Sequence, residues 1–390
     1  MPISSIRDLD LRGKKVLVRC DFNVPLAGGR ITDTSRVDAS LDTIRHILSQ
    51  GGGAILCSHL GRPKERVPEL SLKPVSEYLG QVLGEKVALA PDCIGDVTLR
   101  MSNSLPMGHA LLLENLRFHR EEEANDSDFA HELARGKDVY VNDAFGTAHR
   151  AHASTVGVTR FLSERAAGFL MMRELDALRM LTVNPEHPYV AILGGAKVSD
   201  KINVIKNLLT KVDAILVGGA MAYTFLKAQG IAVGKSRVEE DKLDVAHEIL
   251  ALAASKNVRL LLPVDHVFAE GPEAGTSAQT GTQIPDDKMG LDIGPQTTHQ
   301  FIAELSGAKT VVWNGPLGFF EMPAFASGTM AVGAALAESG AKSVIGGGDT
   351  AAAVAGHDWA KRFTHISTGG GATLEYLEGL ELPGVKALER

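Results

Sequence analysis

The sequence predicts an α/β fold of two doubly wound parallel-sheet domains, joined by an interdomain helix, with an active-site cleft between them. Short apolar runs end in a glycine or polar turn and pass into helix-period segments from one end of the chain to the other. At 390 residues and 44% apolar content, the chain exceeds the size at which a single core keeps growing. A helical stretch, Glu164 to Leu181, falls near the middle and stops before Asn184-Pro185, a proper helix terminator.

Lys15 to Cys20 is the first strand, leading to a helical pattern over Ser35 to Ser49. Ala54 to Cys57 repeats the unit and reaches a helix over Val75 to Leu83 through a proline-bearing loop. Ala110 to Leu113 and Val139 to Val141 are further strands, with a helix near Phe129 to Ala134. In the second half, Tyr189 to Leu193, Ala214 to Val217, Arg259 to Leu262, Thr310 to Trp313, Ser343 to Ile345 and Phe363 to Ser367 are strands, most of them closed by glycines. The domains follow as residues 1–165, a helix and hinge over 166–185, residues 186–372, and a tail over 373–390. Glu121 to Glu123 reads as a solvated loop.

Cys20, Cys57 and Cys93 have no metal or redox spacing and suit reduced thiols in a cytoplasmic protein. No apolar run is long enough to span a bilayer, and a formal charge of -7 argues against a nucleic-acid partner. The charge is uneven. Residues 1–170 are nearly neutral and hold 15 arginines, whose planar forks suit phosphate and carboxylate, so that half is the place for a small, highly charged ligand.

Asp21, Asn23, His59 and Arg62 follow buried strands and should emerge together at one sheet edge, where open α/β sheets bind ligands. Glycine turns after strands let a backbone approach phosphate closely, although tight helix-to-strand packing also uses glycine. Lys197 and Lys201 are placed one helical turn apart after Gly194-Gly195, an arrangement explained by an anion at a helix N-terminus or by a surface ion pair with Asp200. Asp349, after Gly346-Gly347-Gly348, is placed to meet Mg²⁺ brought by a nucleotide, or to cap a helix. Gly230 to Ser236 resembles a P-loop but is one residue short and follows a helix, so it is rejected. Gly346 to Ala351 satisfies G-x-G-x-x-A, which keeps an NAD-dependent oxidoreductase open; a noncatalytic nucleotide-binding protein is the other alternative. His149 and His152 lack the further ligands of a metal site.

Together, Arg19 to Pro25, His59 to Lys64, Leu113 to Phe118, Asn142 to Arg150, Leu193 to Lys201, Trp313 to Pro316 with Glu321, Gly346 to Thr350 and Ser367 to Ala372 closely resemble the motifs of phosphoglycerate kinases, in order along the whole chain. The resemblance implies two Rossmann-like domains. It implies 3-phosphoglycerate bound by Asp21, Phe22, Asn23, Arg36, His59, Leu60, Gly61, Arg62, Arg117 and Arg150. It implies MgATP or MgADP bound by Lys201, Gly290, Glu321, Gly347, Gly348, Asp349 and Thr350, with Asp349 toward the metal. Arg36, Lys197 and Gly370 are its expected catalytic positions. It also implies a tail packed on the first domain, closure about the central helix, and a monomer working on small-molecule substrates. Transfer to a carboxylate needs no general base, which fits the lack of an obvious one.

Overall fold

The computed structural model describes residues 3–273 and 277–389; Met1, Pro2 and Arg390, the outermost positions of the expected end segments, lie outside the described residues. The chain divides into two compact units, Met1–Leu175 with Glu381–Arg390, and Asp176–Leu380.

The first unit contains β1 (Lys15–Cys20), a hairpin of β2 (Leu26–Ala27) and β3 (Arg30–Ile31), then β4 (Gly53–Cys57), β5 (Ala88–Leu89), β6 (Ala110–Leu112), β7 (Val139–Asp143) and β8 (Arg165–Ala167). Six of these form a parallel sheet in the order β5-β6-β4-β1-β7-β8. Every residue of β4, β6 and β7 is buried, as expected of strands covered on both faces.

Three expectations change here. The helical pattern over Ser35 to Ser49 is two helices, Ser35–Ala39 and Leu41–Ser49. Ser40 interrupts them: it is fully buried, and its N–H bonds three residues back to Val37, tightening the turn. The central helix is Phe169–Thr182, not Glu164 to Leu181, because Arg165–Ala167 pairs with β7 as an edge strand. Its start is set by Asp143, whose Oδ1 accepts from the N–H groups of Leu170 at 2.9 Å and Met171 at 3.2 Å. The division between units falls inside this helix, after Leu175. Finally, Glu121 to Glu123 is not a solvated loop: Arg120–Glu123 is a short helix and Glu122 is buried, held by Ser154.

The second unit contains β9 (Tyr189–Leu193), β10 (Ala214–Val217), β11 (Arg259–Leu261), β12 (His266–Ala269), β13 (Gln279–Gly281), β14 (Met289–Ile293), β15 (Thr310–Asn314), β16 (Lys342–Gly346) and β17 (His365–Ile366). Its main sheet is parallel, in the order β11-β10-β9-β15-β16-β17, around a core that includes Trp313, Phe301 and Val332. A separate antiparallel sheet, β13-β12-β14, has no counterpart in the sequence reading. Its strands are short, and β13 is polar and largely exposed, so no apolar alternation marks it.

The tail divides. The helix Gly371–Leu377 belongs to the second unit, where Asn207 donates to Leu377 at 2.6 Å. Glu381 onward belongs to the first. Gly384 donates to the Ala148 carbonyl at 2.7 Å, and Arg165 donates to the Glu389 carbonyl at 2.7 Å. Among the described residues no helix is long and apolar enough to cross a membrane.

Candidate active site

Parallel register builds the first half of the site. Arg19 of β1 lies opposite Cys57 of β4, so two residues further on Asp21 and His59 leave the sheet at the same level. The loops that follow are tied together. Gly61 donates to Asn23 Oδ1 at 2.8 Å, Phe22 donates to Ser58 Oγ at 2.8 Å, and Asn115 both accepts from Leu60 at 3.1 Å and donates back to it at 2.8 Å. Asn115 is steadied in turn by Glu114, which accepts from its N–H at 2.8 Å. Asp21 accepts from Arg36 at 2.9 Å, and Arg117 donates to the Gly61 carbonyl at 3.0 Å.

The resulting field is positive. His59 is buried, and burial together with Arg19, Arg117, Arg36 and Arg150 pushes its pKa well below the ordinary value, so the ring is neutral at pH 7. Burial also lowers Arg117; Glu123 opposes this, while Arg150, Arg19 and Arg62 add to it. Among the described residues, Arg62 is exposed without an ion pair, and the Arg150 Nε donates to the neighbouring His149 Nε2 at 3.1 Å. Cations crowded this way around few carboxylates are stabilised by an anionic ligand with several charges.

In the second unit a pocket of about 330 Å³ is lined by Gly195, Gly219, Gly290, Phe319, Glu321 and Asp349, among others. Lys201 is partly buried beside Gly195; burial lowers its pKa, and Asp200 and Asp349 act against that. Asp349 is exposed in the first turn of the helix Gly348–Val354 and has no hydrogen bond or ion pair among the described residues. Lys201 is not among the residues lining the pocket, but it lies beside Gly195, which is, and an ammonium there together with the Asp349 carboxylate on the apolar-walled pocket suits a phosphorylated ligand.

The two lysines are not one helical turn apart. Residues 194–201 form a loop, Lys197 is exposed within it, and the helix begins only at Ile202 with Lys201 in the cap position. The glycine turns also separate into two kinds. A Cβ at Gly194 would collide with the Pro316 carbonyl oxygen and one at Gly218 would sit 2.5 Å from Leu317, so these glycines serve close packing of the strand ends. Gly348 is of the other kind, with open space at its Cβ position, whereas Gly347, with φ of +89°, caps the helix Gly348–Val354 with its Cβ position 3.1 Å from the Asn314 side chain.

A family model described as phosphoglycerate kinase matches residues 6–380. The chain belongs to the phosphoglycerate kinase family. It is 55% identical to the phosphoglycerate kinase of Chloroherpeton thalassium, over 100% of this chain and 99% of the relative. It is 53% identical to the cytosolic phosphoglycerate kinase of Triticum aestivum, over 99% and 98%. Among solved structures, the phosphoglycerate kinase from Coxiella burnetii matches with a TM-score of 0.92 at 42% identity, covering 99% of each chain. That from Pyrococcus horikoshii gives 0.87 at 32%, covering 99% and 98%. The chain is thus a phosphotransferase of the carboxylate-acceptor kind, and neither the oxidoreductase nor the noncatalytic alternative is supported.

Within this kinase-family fold, the ten positions expected for the acceptor, from Asp21 to Arg150, lie in or beside the loops leaving the carboxyl ends of β1, β4, β6 and β7, or, for Arg36, on the helix ion-paired to Asp21. Gly290, Glu321 and Asp349 line the second-unit pocket. Gly290 is also a packing glycine, since a Cβ there would overlap the Tyr223 hydroxyl. Thr350 is fully buried, and its hydroxyl accepts from Gly315 N–H at 2.6 Å, so its side chain tethers the neighbouring turn. Gly370, with φ of +49°, starts the helix Gly371–Leu377 and is not among the residues lining the pocket. Sequence reasoning placed Glu122 in a solvated loop, left Ser154 and Tyr223 unassigned, and named Arg19 only as part of the Arg19 to Pro25 motif, without a role of its own. Arg19 alone carried a signal, a charge inside an otherwise apolar strand.

Proposed function

We propose that this enzyme catalyses reversible phosphoryl transfer between ATP and the carboxylate of 3-phosphoglycerate, giving 1,3-bisphosphoglycerate and ADP, in glycolysis and gluconeogenesis. The observation that carries the reading is the arginine cluster around a neutral His59 on the first unit. It matches a ligand bearing both a phosphate and a carboxylate. The helix start at Gly347–Gly348, with open space at the Gly348 Cβ position and with Lys201 and Asp349 nearby, supports a nucleotide on the second unit. Asp349 fits Mg²⁺ by its chemistry, as an exposed carboxylate with no hydrogen bond or ion pair among the described residues, and a bound ion there would supply charge neutralisation to the nucleotide phosphates.

The acceptor carboxylate is ionised near neutral pH, so the protein has to align and neutralise but not to remove a proton. Arg36, oriented by Asp21, and Lys197, exposed and unpaired among the described residues, offset charge on the phosphoryl group in flight. We assign Gly370 a backbone role at the same group. The cytosolic relative from Triticum aestivum supports a cytoplasmic location, and a monomer is the proposed state.

The test is turnover of 3-phosphoglycerate and MgATP coupled to NADH oxidation by glyceraldehyde-phosphate dehydrogenase. Wild type should turn over, and Arg36→Ala should lose on the order of 100-fold or more in kcat. A folded wild type that binds MgADP without turnover would overturn the reading.

A further inference from the structure

Arg19 sits in β1, is 1% exposed, and its guanidinium reaches the buried His59 of the acceptor site. Each side of it is engaged. Nε donates to Ser154 Oγ at 2.8 Å, Nη1 donates to the Cys20 carbonyl, and Nη2 lies 3.2 Å from His59 Nδ1. Ser154 passes the interaction on: its hydroxyl donates to Glu122, and its N–H donates to the same carboxylate at 2.9 Å. A guanidinium has only donors. Nη2 must therefore donate to His59 Nδ1, which leaves the ring proton on Nε2.

We propose that Arg19 is a positioning residue that holds His59 as the neutral Nε2–H tautomer and so presents that N–H as the donor to the anionic substrate. The proposal rests on the acceptor assignment of the first unit. Every other charged group facing the ring is consistent with it. Arg36, Arg117 and Arg150 all oppose a second proton. Asp21 is the one acid near the ring among the described residues, and its Oδ1 is 3.9 Å from Nδ1, too far to claim a proton there. Asp21 is instead committed to Arg36 at 2.9 Å. A neutral donor gains from this design. It bonds an oxyanion at every physiological pH, so substrate affinity does not follow the titration of a histidine.

The tautomer is read directly from long-range ¹H–¹⁵N spectra of the ligand-free enzyme labelled at histidine, with His59 identified by its loss in His59→Gln. The expected result is a protonated Nε2, an unprotonated Nδ1, and no change from pH 5.5 to 8. A proton on Nδ1, or a titration in that range, overturns the proposal. The second arm is Arg19→Met with Glu122→Gln, which removes both buried charges together. There the single tautomer should be lost, with a proton detectable on Nδ1, the KM for 3-phosphoglycerate should rise about tenfold, and the KM for MgATP should stay unchanged. A ring still locked in that variant assigns the tautomer elsewhere and overturns the role of Arg19; if the variant fails to fold, the wild-type spectra decide. Adding 3-phosphoglycerate should shift Nε2–H. An active enzyme with no shift removes the ligand-facing half of the proposal, whereas an inactive enzyme points to the functional reading itself.

Discussion

Asp143 is a fully buried carboxylate that caps the helix Phe169–Thr182, and replacing it by asparagine isolates the cost of its charge. Burial raises its pKa to about 6 from an ordinary 3.8, even though the Leu170 and Met171 N–H groups favour the ionised form. Both N–H groups go to Oδ1, while Oδ2 has no hydrogen-bond partner. The amide of an Asp143→Asn variant would keep the accepting oxygen and cannot ionise. In the folded protein the acid holds its proton to higher pH than in the unfolded chain, so stability falls as pH rises from about 4 to 6. A shift of roughly two units corresponds to about 3 kcal/mol lost by the wild type above that window.

Urea unfolding at a series of pH values from 4.5 to 8 measures this. Far-UV circular dichroism follows both units, while Trp313 and Trp359 lie in Asp176–Leu380, so tryptophan fluorescence reports the second unit alone as an internal reference. The stability of Asp143→Asn relative to wild type should climb with pH by about 2 to 3 kcal/mol and then level off, with the fluorescence transition little affected. The slope is the diagnostic quantity, since any offset from an unpartnered amide of about 1 to 3 kcal/mol is independent of pH. A difference that is flat across the range, or that grows toward low pH, would refute the raised pKa and the reasoning from burial.

Two further outcomes are expected. Lys197→Ala should lower kcat on the order of 100-fold or more while changing MgADP affinity little, because Lys197 is exposed and acts on the phosphoryl group in the transition state; equal losses in steady-state kinetics and calorimetric affinity would make it a ground-state ligand. Because the acceptor and nucleotide groups belong to separate units, in-line transfer requires the two ligands to be brought together, and small-angle scattering should record a smaller radius of gyration with both bound than with neither. No compaction would count against closure.

Hydrophobic patterning made the strands legible because each side chain's burial is a local property of a short run. Lys15–Cys20, Tyr189–Leu193 and Ala214–Val217 have the bounds that their apolar runs suggest. The residues at strand ends were legible for the same reason, as polar groups placed immediately after buried runs. What sequence could not supply was the meeting of distant residues. Ser40 breaks a helix where the local pattern suggested a continuous one, and Glu122 goes inward to Ser154, against a local pattern that suggested a solvated loop. The glycines at 194 and 348 look alike in sequence, yet one faces a carbonyl from another turn and the other has open space at its Cβ position. Arg19, His59, Glu122 and Ser154 are separated by up to 135 positions, and only the parallel register of β1 with its neighbours and the return of the 152–155 turn put them in one hydrogen-bonded line. The chain's periodicity determined the two-unit α/β architecture and the edge that carries the charged residues; the tertiary fold decided which charged residues go inward and which touch, because apolar periodicity is local while contact depends on how remote segments cross.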